Sequence, residues 1–269
     1  MIARRSTFSV TAQRGFGTTA IACILALYLP IVILVIYAFN ASGSLSKWGG
    51  FSFKWFAAAW QNQDILEASS RSLQVALVAA TLATTMATLT SLATTRTAAY
   101  RGLTFKFALI NLPLIVPEIV TAVALLIVFA RIKVWTGYTG MGYLVAAHTA
   151  FCIPFAYLPL RARLEGMDLS LETAAADLYA NPWKTFRHVT LPLLWPGIIA
   201  GFTLAFVISL DDVVITEFVK SGGQETLPTY MLGQMRRFVT PEVNAAATGF
   251  LALSVLAVTA SYFISRKRK

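Results

Sequence analysis

The sequence predicts an all-α polytopic membrane protein with about six transmembrane helices, on three observations. Of its 269 residues 57% are hydrophobic and only 13% charged, and mean hydropathy is +0.67. Ordinary soluble domains carry about a quarter charged residues, so the balance excludes that class. Apolar runs near or above 18 residues recur along the chain; each is long enough to cross a hydrocarbon core of about 30 Å. The third observation is the placing of the basic residues. The formal charge is +10, a value that nucleic-acid binding would also explain, but the basic residues cluster in short segments beside the apolar runs, as topology signals do.

Taken in order, the expected spans are 17–39, 72–95, 107–130, 141–160, 192–215 and 243–264. The first follows Arg4, Arg5 and Arg14 and ends in Ile36-Tyr37-Ala38-Phe39-Asn40. At about 23 residues it exceeds the apolar core of a signal peptide and reads as an uncleaved span. Segment 40–71 holds Trp48, Phe51, Phe53, Trp55, Phe56 and Trp60, a density that predicts an interfacial helix around 53–60. Span two is crowded with small residues from Ala79 to Thr88, which let helices approach closely inside a bundle. Pro113 and Pro117 interrupt span three, and Pro192 and Pro196 span five; such breaks often border a water-filled path. The last outer segment, 216–241, has Ser221-Gly222-Gly223 and Leu227-Pro228 and predicts a turn followed by a short helix.

With the N-terminus inside, the inner segments hold 14 of the 22 basic residues, among them Arg96, Arg101, Lys106, Arg161, Arg163, Lys184, Arg187 and Arg266 to Lys269. Both termini are then cytoplasmic. No repeat or separate soluble domain is legible, so one transmembrane domain is expected over 1–269, with a core of about 72–215.

Three acids are expected at membrane depth: Glu118 in span three and Asp211-Asp212 late in span five. A charge there costs at least about 2.5 kcal/mol, and no Lys or Arg falls within the expected spans to neutralise it. A water-filled path for a cationic solute accounts for the acids. The adjacent aspartates repel unless their helical offset of about 100° separates them or one is protonated; the bland alternative is that one of them caps or packs at the end of span five, with Ser209 and Thr216 as partners. His148 reads as a hydrogen-bonded packing histidine. Trp135, Tyr138, Tyr143 and Tyr230 are candidate aromatic faces for an ammonium group. Cys23 and Cys152 read as small buried hydrophobes. No metal-ligand spacing, catalytic triad spacing or Walker-type phosphate loop is present, so neither a metal site nor an ATPase of its own is expected.

The longest polar interruption on the basic side is 165–197. An alanine-rich helix is expected over Leu171–Ala180. Asn181 then caps, Pro182 opens a second short helix over Trp183–Thr190, and that helix stops at Leu191-Pro192. Thr173-Ala174-Ala175 and Val189-Thr190-Leu191-Pro192 resemble the EAA loop of permease subunits of bacterial ABC importers. Here the loop's glutamate position is Thr173, with Glu172 displaced by one, and its glycine position is Tyr179. Pro117-Glu118-Ile119-Val120, Phe151-Cys152-Ile153-Pro154-Phe155, Ser209 to Val214 and Pro241-Glu242-Val243-Asn244-Ala245 together resemble the spermidine/putrescine permeases, second-permease type.

That resemblance implies the type I ABC importer permease fold in a bacterial inner membrane and an ATP-driven importer for putrescine or spermidine. A homologous permease (in a heterodimer), a dimer of ATP-binding subunits and a periplasmic binding protein are the implied partners, with ATP on the ATPase subunits and no cofactor on this chain. It also implies ATPase docking through about 165–192, by Glu172, Thr173, Ala174, Ala175, Asp177, Tyr179, Asn181, Pro182, Leu191 and Pro192. The substrate path would run past Glu118, Asp211 and Asp212. The alternatives are the same importer type for an amino acid, an opine or ferric iron, and a stand-alone ion-coupled secondary transporter.

Overall fold

A computed structural model describes residues 15–44, 47–97, 101–236 and 240–266. Arg4, Arg5, Arg14 and Lys267 to Lys269 lie outside the described residues. The helices are α1 (Phe16–Ala38), α2 (Lys54–Gln61), α3 (Gln63–Thr95), α4 (Leu103–Ile110), α5 (Leu112–Ile115), α6 (Glu118–Thr136), α7 (Gly142–Glu165), α8 (Ser170–Asp177), α9 (Pro182–Thr185), α10 (Leu191–Asp211), α11 (Val214–Val219), α12 (Leu227–Met235) and α13 (Pro241–Arg266). Among the described residues, six helical stretches are long and apolar enough to cross a membrane. The expected count is met, although several boundaries move.

The chain divides into two compact units. The first comprises residues 1–62 and 238–250. Its loop is organised by buried Asn40, whose Nδ2 donates to the Lys47 carbonyl at 2.7 Å while Oδ1 accepts from Gly49 N at 2.7 Å. The Trp55 indole donates to the Asn40 carbonyl at 2.7 Å. The rings of Phe39, Phe51, Phe53 and Phe56 cluster beside it. The helix expected at 53–60 is α2. Cys23 does not read as a buried hydrophobe, because α1 buries only Ala38 and leaves Cys23 exposed.

The second unit, 63–237 and 251–269, is built on α3, α7 and α10. The face that α3 buries runs through Ala68, Ser72, Val75, Ala76, Ala79, Ala80, Ala83, Ala87 and Ser91, a three-to-four residue spacing that keeps one helical face small. Helix α10 answers with Gly197, Gly201 and Ala205, all buried. A Cβ on Gly201 would stand 2.9 Å from the Ala156 carbonyl oxygen, and one on Gly197 would stand 3.0 Å from Arg163 Cβ. Backbone therefore touches backbone where α10 crosses α7, and only glycine fits at 201. Buried Cys152 packs in the same seam, its Sγ 3.5 Å from the Ala205 carbonyl oxygen, as its sequence position predicts.

Three expectations about helix ends are corrected. Span three breaks at Pro117 as expected, but its long helix is shifted: α4 and α5 precede Val116-Pro117, and α6 runs from Glu118 to Thr136 instead of ending near 130. The proline ring denies its N–H to the ladder and pushes Val116 into an extended conformation (ψ 133°). Because α6 runs to Thr136, Arg131 and Lys133 lie in its last two turns, so this span does contain cations. Span two starts at Gln63, nine residues before the expected start. Finally, the chain does not stop at Leu191-Pro192. Residues 186–190 form a π turn that leads into α10, and the helical run continues from Pro182 to Asp211. The wider turn just before Pro192 absorbs the donor that proline lacks.

Candidate functional site

Helix α10 ends at Asp211, and the backbone at Asp212 is extended (ψ 129°) before α11 begins. The adjacent aspartates are therefore parted by a helix break, not by the helical offset expected from sequence. Asp212 turns inward and is buried. Its Oδ1 accepts from Thr216 N at 2.9 Å and from Thr216 Oγ1 at 3.0 Å, and Oδ2 accepts from Ile215 N at 3.4 Å. The two backbone N–H groups are orphan donors at the start of α11, so the carboxylate caps that helix. His148 from α7 closes the network. Its Nδ1 is 2.8 Å from Ser209 Oγ, its Nε2 is 2.9 Å from Thr216 Oγ1, and that Nε2 lies 3.5 Å from Asp212 Oδ1. The capping alternative holds for Asp212, and the packing reading holds for His148.

Asp211, one residue earlier, is exposed. With Glu118, Asp212, Phe151, Phe155 and Val207 it lines a cleft of about 370 Å³. Glu118 stands at the first position of α6, where the helix dipole and free N–H groups favour a carboxylate. Three elements thus bring all three predicted acids together: the break before α6, the end of α10, and the cap of α11. Among the described residues no Lys or Arg lines the cleft. The α6 cations Arg131 and Lys133 sit at the other end of that helix from Glu118, and Lys133 is engaged there, with Nζ 2.8 Å from Ser221 Oγ and 5.2 Å from the Tyr143 ring centre. The face of Tyr143 is thus occupied by the chain's own cation. Trp135 and Tyr138 are exposed, and Tyr230 lines a different pocket with Asp64, Glu67 and Glu225. The aromatic rings at the acids are Phe151 and Phe155, which sequence reading quoted only as part of a motif.

At the far end of α3, α7 and α10 lies the loop. Helix α8 spans Ser170–Asp177, ending three residues before the expected Ala180, and Asp168 Oδ1 accepts from Ser170 N at 2.9 Å to start it. That bond holds the Asp168 carboxyl below the usual carboxylate range. The end of α8 explains the departure at 179. Ala180 N donates to the Ala175 carbonyl and Tyr179 N to the Ala176 carbonyl, the paired bonds of a Schellman motif, which needs a left-handed residue between them. Tyr179 has φ 60°, the one positive φ outside glycine among the described residues. A glycine position in the EAA pattern is what this geometry calls for. Asn181 caps α9 by accepting from Lys184 N at 2.8 Å, with Pro182 at its start, as predicted.

The remaining docking candidates separate by exposure. Thr173, Ala174, Asp177, Tyr179, Asn181, Pro182 and Pro192 are exposed; Ala175 and Leu191 are half-buried. Glu172 faces inward. Its Oε1 lies 3.2 Å from Arg96 Nε, 3.1 Å from Arg96 Nη2 and 3.0 Å from Thr190 Oγ1. The Arg96 partner was missed in the sequence, where it counted only as an inner-side charge. An arginine directly following a span, with Glu165 and Glu172 in the next polar segment on that side, is the signal that was available.

Residues 103–269 match the family described as binding-protein-dependent transport system inner membrane component. Among curated relatives, the spermidine/putrescine transport system permease protein PotC of Escherichia coli (strain K12) is 37% identical over 255 residues, covering 95% of this chain and 94% of that one. The putrescine transport system permease protein PotI of the same strain is 36% identical over 247 residues, covering 90% and 88%. Among solved structures, a bacterial ABC transporter involved in import of the acidic polysaccharide alginate superposes with a TM-score of 0.71 at 17% identity, covering 93% of each chain. That match speaks for the fold alone. Family model, relatives and fold agree: the chain belongs to the binding-protein-dependent transport system inner membrane components, in the group that holds the spermidine/putrescine permeases.

Proposed function

We propose that this chain is the transmembrane permease subunit of an ATP-driven importer for polyamines, putrescine or spermidine. The observation that carries the cargo is the cleft at the end of α10: three carboxyls and two phenylalanine rings, with no Lys or Arg among the described residues that line it. Carboxylates and aromatic faces are the groups that hold an alkylammonium ion away from bulk water. The relatives named for spermidine and putrescine support the same cargo. Glu118 and Asp211 meet the passing ammonium groups, while Asp212 holds the break that presents them.

In this reading the 165–192 loop is cytoplasmic, both termini are cytoplasmic, and a second, homologous permease completes the path. A periplasmic binding protein delivers the cargo. ATP is bound and hydrolysed by separate ATPase subunits that seat on α8 and the turn after it, and this chain carries no cofactor. The exposed docking candidates and the strained Tyr179 turn support a contact there. The test is putrescine uptake into vesicles holding the complete importer. Glu118→Gln and Asp211→Asn together are expected to lower uptake at least about tenfold, the scale of losing one charge-assisted contact, with the subunits still assembled. Uptake at the wild-type rate would remove these acids from the path.

A further inference from the structure

Arg96 is the residue immediately after α3, and its side chain is about four-fifths buried. It gathers several segments of one unit. Nε and Nη2 hold Glu172 of α8 at 3.2 and 3.1 Å. Nη1 lies 3.2 Å from the Leu164 carbonyl oxygen in the last turn of α7, and Nη2 is 3.9 Å from Met167 Sδ. The same Glu172 Oε1 accepts from Thr190 Oγ1 at 3.0 Å, in the π turn that runs unbroken into α10. One guanidinium–carboxylate pair therefore ties the ends of α3, α7 and α10 to α8, which buries none of its own residues. A guanidinium is planar and presents its donors in a fixed fork, so it resists sliding in a way that one flexible ammonium does not.

We propose that Arg96 is a positioning residue: acting through Glu172 and Thr190, it passes displacement of α8 to α3, α7 and α10 as one body. This rests on the reading of α8 as the surface on which the ATPase subunits seat. Without the fork, α8 still receives the ATPase subunit but shifts independently of the bundle, and hydrolysis runs on with less transport.

The experiment uses the complete importer in vesicles, with putrescine uptake and ATP hydrolysis measured together. Arg96→Gln and Glu172→Gln are each expected to lower uptake per ATP about tenfold while the ATPase subunit remains bound, and the double variant is expected to be no worse than either single, as for two halves of one interaction. Arg96→Lys is also expected to fail, since one ammonium cannot serve both Glu172 and the Leu164 carbonyl. Thr190→Val, which removes one hydrogen bond, is expected to cost about two- to threefold and carries the test if the arginine variants do not assemble. A wild-type ratio in Arg96→Gln or, failing that, in Thr190→Val overturns the proposal, as do losses that multiply in the double variant or uptake and hydrolysis falling in step. Leu178→Asp, on the exposed end of α8, separates the two readings. If the purified complex keeps its ATPase subunit with that change, the docking reading fails; if it sheds the subunit while Arg96→Gln transports normally, only the positioning role fails.

Discussion

The two ends of the α3–α7–α10 bundle treat their acids in opposite ways. At the loop end, Glu172 is clasped by Arg96 at 3.1 Å and by Thr190 at 3.0 Å. At the other end, Glu118, Asp211 and Asp212 share a cleft with no Lys or Arg among the described residues that line it, and Lys133, at the opposite end of α6 from Glu118, is turned to Ser221 and Tyr143. An acid matched to a cation of its own chain is part of the frame. An acid denied one is, in the function proposed above, the place for a cation from outside. Asp212 shows that the second end also needs a frame, because its carboxylate is consumed in capping α11 and in holding His148.

The largest effect should come from treating Asp212 as if it were Asp211. Asp212→Ala strips the cap of α11 and leaves the Thr216 N–H and hydroxyl without the acceptor they use. A loss of about 3 kcal/mol is expected, read as a lowered melting temperature of the purified assembly. A melting temperature equal to wild type would mean that Asp212 is no frame at all. Next is the seam that joins the two ends. Gly201→Val places side-chain atoms where a Cβ alone would meet the Ala156 carbonyl at 2.9 Å, and about 1–3 kcal/mol of destabilisation is expected. If the variant melts like wild type, α7 and α10 are not in backbone contact.

A smaller change, of opposite sign, is expected at the loop end. Tyr179→Gly relieves a left-handed residue (φ 60°) and should stabilise by about 1 kcal/mol. A lowered melting temperature would show that the Tyr179 side chain contributes more than its backbone strain removes. The smallest stability effect is expected for Asp211→Asn. This exposed residue should change stability by less than about 0.5 kcal/mol, yet reduce putrescine uptake. Large destabilisation without an uptake defect beyond the loss of folded protein would reverse the assignment of the two aspartates.

Much of this was legible one segment at a time. The α2 helix, the cap at Asn181-Pro182 and the close packing of span two follow from composition and spacing over a few residues. So do the three candidate acids. The helix ends were less legible, because proline has two outcomes. At Pro117 the chain breaks, whereas at Pro192 a π turn carries the helix through, and only the packing around each proline chooses.

What the sequence determined by itself, then, was the class of molecule and the cost of its acids. Hydropathy and charge placement are sums over neighbours in the chain, so six spans and three costly carboxyls can be counted without a fold. Only the tertiary structure decided which acid does what. Asp211 and Asp212 are adjacent and chemically identical, and they are told apart by a helix break and by His148, which lies 61 residues from Ser209 and 68 from Thr216 in the chain. Likewise Glu172 and Arg96 are separated by 76 residues. Pairing across such distances depends on how helices pack, which no local window records.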